Sequence, residues 1–118
     1  MVTNSNGQSD DAERRIRLIA GQKVRFDSEG FFEEFDEWSE EVFEVLAREN
    51  DISVITKQHR QVIQALRDFY AYHARAPLNN ELRKSTGMRL TEIERLFPGG
   101  IKEGARRLSG LPNPKTCN

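Results

Sequence analysis

The sequence predicts a mostly α-helical α+β fold. It is a small orthogonal helical domain with a helix-turn-helix-like pair, an N-terminal β-hairpin and a flexible C-terminal arm. Three observations carry this expectation. The chain has 118 residues, the size of one ordinary domain. Apolar residues recur at helical spacing over Trp38–Leu46 and again over Val62–Tyr70. Two short alternating runs flank a glycine near the start, and Gly110-Leu111-Pro112-Asn113-Pro114 ends the last apolar stretch with residues that cannot continue a helix.

Residues 1–15 are rich in Asn, Ser and Asp without periodicity and read as a flexible lead-in. Ile16–Ala20 and Lys23–Phe26 alternate around Gly21-Gln22 and predict the hairpin, which Asp27-Ser28-Glu29-Gly30 closes with turn chemistry. Ser39 caps a first helix over 40–50, with Glu40 and Glu41 at its positive end. Thr56 caps a longer core helix over 57–74, ended by Pro77. Asn79 or Asn80 caps a short helix through Lys84, Gly87 makes the turn, and Thr91 caps a helix over 92–97, which together give the helix-turn-helix outline. Pro98-Gly99-Gly100 breaks the chain before a last helix over 101–108. The domain is expected over 16–109 and the arm over 110–118.

No apolar run approaches the roughly 18 residues that would cross a bilayer, and mean hydropathy is -0.71, so a soluble, cytoplasmic protein with no membrane partner is expected. The single cysteine, Cys117, makes no internal disulfide. Charge is segregated. Residues 27–50 hold ten acids against Arg48 alone, whereas 83–118 hold eight bases against three acids. Such asymmetry suits docking by electrostatic complementarity, or a basic face that meets nucleic acid.

Few residues offer chemistry. Cys117 is penultimate, beyond two prolines, with Lys115 two residues before it. An exposed thiol on a stiffened arm suits transfer chemistry, in which sulfur must reach into another protein. His59 and His73 lack further ligands at metal-binding spacing, and no glycine loop has a phosphate-binding pattern, so no metal and no cofactor is expected. The pairs Glu33/Glu34 and Glu40/Glu41 read as solvated faces. The aromatics Phe31, Phe32, Phe35, Trp38, Phe43, Phe69, Tyr70 and Tyr72 read mostly as core. Arg83, Lys84, Arg89 and Arg95 could meet phosphates from the helix-turn-helix, but Glu92 and Glu94 on its second helix oppose direct nucleic-acid binding.

Several segments together resemble the DsrC/TusE sulfur-relay family. They are Asp27-Ser28-Glu29-Gly30-Phe31, Trp38-Ser39-Glu40-Glu41, Arg67-Asp68-Phe69-Tyr70, Leu96-Phe97-Pro98-Gly99-Gly100 and Ser109–Asn118. The resemblance implies that Cys117 accepts sulfur as a persulfide and delivers it to a partner. It also implies that members working with dissimilatory sulfite reductase carry a second cysteine eleven positions earlier, where this chain has Arg106. The single-cysteine pattern looks like TusE. That implies an upstream TusBCD-like or other persulfide sulfurtransferase and a downstream thiouridylase-like acceptor acting on tRNA. Arg106, Arg107 and Lys115 are the expected partner-docking cations. A paralogue in sulfur oxidation and a helix-turn-helix regulator are the alternatives.

Overall fold

The computed structural model describes residues 15–113. Strands β1 (Ile16–Ile19) and β2 (Gln22–Arg25) pair antiparallel, with Ile16 opposite Arg25 and Ile19 opposite Gln22. The two-residue loop is therefore Ala20-Gly21, one position earlier than expected. Both loop residues have positive φ, 52° and 80°, the backbone hand that matches the twist of the paired strands. Gln22 is consequently a strand residue, and its side-chain amide donates to the Glu37 carbonyl.

The chain then folds back on Asp27. One oxygen of its carboxylate accepts the N–H groups of Glu29 and Phe31, both at 2.9 Å, and Phe32 comes to bridge Phe26. A 3₁₀ turn, Phe35–Glu37, leads to helix α1 (Glu40–Glu49). As expected, the Ser39 hydroxyl caps it by accepting the Val42 N–H at 3.1 Å. Its apolar stripe buries Val42, Phe43, Leu46 and Ala47.

Helix α2 (Lys57–His73) is the central element. Thr56 and His59 cap its start reciprocally: the hydroxyl accepts the His59 N–H, and His59 Nδ1 accepts the Thr56 N–H at 3.0 Å. His59 Nε2 lies 2.8 Å from the Leu96 carbonyl, so it is the donating nitrogen, and both ring nitrogens are consumed in holding α2 against the loop before Phe97. Val62, Ile63 and Leu66 fill the core, but Tyr72 is 86% exposed, because the last turn of α2 projects past it.

Helices α3 (Asn79–Thr86) and α4 (Leu90–Leu96) form the expected corner, turned at Gly87 with φ 72°. Their caps differ from those expected. Asn79 and Thr91 lie inside the helices. The orphan N–H groups of Leu78 and Arg89 are taken by the carboxylates of Glu81 and Glu92, at 2.8 and 2.9 Å. A carboxylate three residues into a helix reaches back to the free donor and also sits in the favourable field of the helix end. Beyond Pro98 the chain winds as a π-helical segment, Ile101–Arg106, continuing to Leu108. It packs directly on the preceding turn: a Cβ on Gly104 would come within 2.9 Å of the Phe97 Cβ, and one on Gly99 within 2.9 Å of the Glu103 carbonyl carbon. The two glycines allow that approach. One contiguous core runs from Ile19 to Leu111.

Candidate functional site

The C-terminal segment leaves the body under firm control from three earlier elements. The Trp38 indole N–H donates to the Leu108 carbonyl at 2.9 Å. Arg67, from the middle of α2, donates to the Ser109 carbonyl at 2.9 Å and to the Phe35 carbonyl at 3.3 Å. Its guanidinium carbon lies 3.8 Å from the Phe35 ring centre and 4.3 Å from that of Trp38. Burial pushes the Arg67 guanidinium below its ordinary range, with the charges of Asp36 and Asp68 opposing. Gly110 then passes the indole with φ 81°, where a Cβ would lie 2.9 Å from the Trp38 Cβ. Only glycine meets both demands.

Leu111 is fully buried and Asn113 is 6% exposed. The Asn113 amide donates to Asp27 and Glu29, each at 3.0 Å. The Asp27 carboxylate thus divides its work. One oxygen shapes the turn after β2, and the other holds the chain 86 residues later. The packed body therefore runs through Asn113. Cys117 and Lys115 lie outside the described residues, as does the lead-in apart from Arg15.

Arg106 and Arg107 are neighbours in different surroundings. Arg106 is half-buried and donates to the Pro77 carbonyl at 2.9 Å, while its Nε has no hydrogen-bond partner. Burial depresses its pKa. Arg107 lies 3.6 Å from Glu103 and its guanidinium sits over the Phe31 ring, at 5.9 Å. It borders a cleft of about 440 Å³ between the hairpin, the end of α1 and the π-helical segment, with Arg17, Asp27, Glu49 and Leu108 also lining it. Arg17 and Glu49 pair there through two hydrogen bonds, at 3.0 and 2.7 Å, which raise the guanidinium and lower the carboxylate.

Among the described residues, no group of three or more His, Cys, Asp or Glu could hold a metal ion, and no helix is long and apolar enough to cross a membrane. The residues that grip the C-terminal segment (Trp38, Arg67, Asp27, Glu29 and Asn113) were not legible as one site. Each lies in a segment that marks the family resemblance, but their convergence spans 42 to 86 residues of chain.

This sequence and its fold have counterparts among known proteins. The family described as DsrC like protein matches residues 18–118. The chain belongs to this family. Among curated relatives, the gamma subunit of dissimilatory-type sulfite reductase from Nitratidesulfovibrio vulgaris is 37% identical over 97 residues, covering 82% of this chain and 92% of that one. Sulfurtransferase TusE of Escherichia coli K12 is 31% identical over 107 residues, covering 85% and 97%. The crystal structure of dissimilatory sulfite reductase I (DsrI) superposes with a TM-score of 0.80 at 34% identity, covering 87% of this chain and 99% of that one. The oxidised gamma subunit (DsrC) from Archaeoglobus fulgidus does so at 0.74 with the same identity and coverage. Family membership and the mostly helical fold with its hairpin therefore agree with the sequence reading.

Proposed function

We propose that this DsrC-like chain is a sulfur carrier whose working atom is the Cys117 sulfur. The observation that supports the reading most is the grip on the C-terminal segment. The body holds the chain through Asn113, and Cys117 follows only four residues later in the sequence. A carrier needs a thiol with short reach and a fixed point of departure, and it needs no pocket of its own.

The exchange balances without an external oxidant or reductant. The Cys117 thiolate attacks the outer sulfur of a donor persulfide, forming a new S–S bond while the donor's S–S bond breaks. The donor cysteine leaves as a thiolate, and Cys117 then bears the outer sulfur as a persulfide. An acceptor enzyme draws that sulfur onto its own substrate. The donor is a TusBCD-like or other persulfide sulfurtransferase, and the acceptor is a thiouridylase-like enzyme in tRNA 2-thiouridine synthesis. Support for the tRNA branch comes from the relatives named TusE and from Arg106, which stands where the resemblance implies a second cysteine in sulfite-reductase partners. A second reading, transfer within sulfur oxidation, draws on the higher identity to the sulfite reductase gamma subunit. Arg106, Arg107 and Lys115 supply the docking charge for these partners, with Arg107 the more accessible of the two that the structure describes.

Intact-mass spectrometry after incubation with a persulfide-loaded sulfurtransferase tests the reading. The wild-type chain should gain one or more sulfur atoms, and Cys117→Ser should gain none while keeping its circular dichroism spectrum. Equal loading of both would sink the proposal. Loaded protein that thiolates tRNA when given a thiouridylase would select the tRNA branch over sulfur oxidation.

A further inference from the structure

We propose that the face made by the last turns of α2 and the α3–α4 corner binds single-stranded RNA. The sulfur chemistry leaves this face unused, and the binding does not depend on it. Its first component is an aromatic platform in which Tyr72 and His73 are exposed and Phe69 is half-buried beneath them. The Phe69 and His73 rings stack with centres 4.1 Å apart and planes 30° from parallel, and Tyr72 meets His73 edge-on at 4.9 Å. Tyr72 is 86% exposed, although an aromatic side chain of that size is ordinarily drawn into a core. A hollow of about 350 Å³ opens beside these rings, with the Asp68 carboxylate and Ser85 of α3 on its rim. Flat rings beside one acceptor and one hydroxyl suit an unstacked nucleobase, which offers a face to stack and amino groups to donate.

The second component is unpaired positive charge next to it. Ser85 follows Arg83 and Lys84, which line a further hollow of about 640 Å³ with Arg89, Met88 and Leu90. None of Arg83, Lys84 and Arg89 has an ion pair among the described residues, whereas Arg60, Arg75 and Arg17 are all bound to carboxylates. Arg75 belongs to the platform: it lies 5.0 Å from the Phe69 ring centre and is held there by Glu81. Rings in one hollow and unpaired cations in the next suit an RNA strand better than an acidic protein, which would use the cations and leave the rings idle. Duplex DNA is disfavoured on the same face. The would-be recognition helix α4 has only seven residues and buries Ile93, too short to lie along a major groove and read it.

Fluorescence anisotropy with a labelled 12-nucleotide single-stranded RNA tests the proposal, using the full chain, the matching RNA duplex and polyglutamate as competitors. Binding should weaken steeply with salt. Tyr72→Ala should raise Kd about tenfold, the loss of one stacked base. Arg83→Ala with Lys84→Ala should also reduce the slope of log K against log salt by about 1.4, two phosphate contacts on a single strand. Both sites are exposed, and persulfide loading of Cys117 by the same variants reports separately on the carrier reading. Absence of saturable binding at low salt would overturn the proposal. So would binding indifferent to Tyr72→Ala, or displacement of the RNA as readily by duplex or polyglutamate as by unlabelled strand.

Discussion

Arg67 concentrates on one side chain the tasks that fix where the C-terminal segment starts. Its fork donates to two carbonyls from distant parts of the chain, and its plane rests on Phe35 and Trp38. Both donors are charge-assisted, and the aliphatic stem adds packing, so removal leaves two carbonyls short of a partner as well as a cavity. Arg67→Ala should therefore lower unfolding free energy by about 2–4 kcal/mol, measured by urea titration. Hydrogen exchange at Ser109–Leu111 should accelerate in the same variant. Arg67→Lys should recover less than half of the loss, because an ammonium cannot stack on two rings and serve two carbonyls in a fixed plane. A full recovery would show that charge alone holds the segment. Nothing local in Arg67-Asp68-Phe69-Tyr70 announces this role. The motif is visible in the sequence, but its partners are 32 and 42 residues away.

Element ends show most clearly what sequence pattern can and cannot specify. The bodies of α1 and α2, and their caps Ser39 and Thr56, follow from spacing and residue type, because period and hydroxyl caps are local properties. The caps of α3 and α4 do not follow. Asn79, Asn80 and Thr91 are all good cap residues by type, and the choice fell to carboxylates already inside the helices. The hairpin turn moved by one residue for a similar reason, since strand twist selected Ala20-Gly21 over Gly21-Gln22. Glu81 makes the cap of α3 measurable. It accepts the Leu78 N–H and both arms of Arg75, at 2.9 and 3.1 Å, and these bonds hold its carboxyl well below the usual range, at about 2. A depressed carboxylate contributes stability that is present above its unfolded pKa and is lost as pH falls toward the folded one. Acid titration of the wild type should therefore show a stability loss between about pH 4.5 and 2 that Glu81→Gln lacks, with the variant less stable at pH 7. Melting temperatures across that range check both. Parallel curves for the two proteins would remove Glu81 from the cap.

At the scale of the whole molecule, the segregated charge in the sequence becomes a bipolar surface only after internal pairing is counted. Much of the acidic stretch is spent at home. Glu40 and Glu44 pair with Arg60, Glu37 with Arg25 and Glu49 with Arg17, while Asp27 and Glu29 hold Asn113. Glu33, Glu34, Asp36 and Glu41 remain exposed without an ion pair among the described residues, whereas the basic third keeps Arg83, Lys84, Arg89, Arg95 and Lys102 free in the same sense. Composition predicted the segregation; it could not say which charges were already neutralised, because that depends on contacts across the fold. Arg107 stands between the two poles, beside the cleft and the anchor from which the chain runs on to Cys117. If the donor sulfurtransferase docks on this side, as proposed, the Arg107 charge should act on encounter more than on the exchange step. Arg107→Glu should slow persulfide transfer from the donor about fivefold at low ionic strength, the effect of roughly 1 kcal/mol, and the deficit should shrink as salt is added. Arg106→Glu should behave differently, lowering the melting temperature first, since its half-buried guanidinium holds the Pro77 carbonyl and a carboxylate there would meet that oxygen. Single-turnover transfer at two salt concentrations, read beside thermal melts of both variants, separates docking from folding. A salt-independent deficit for Arg107→Glu would place the approach of the donor on another face.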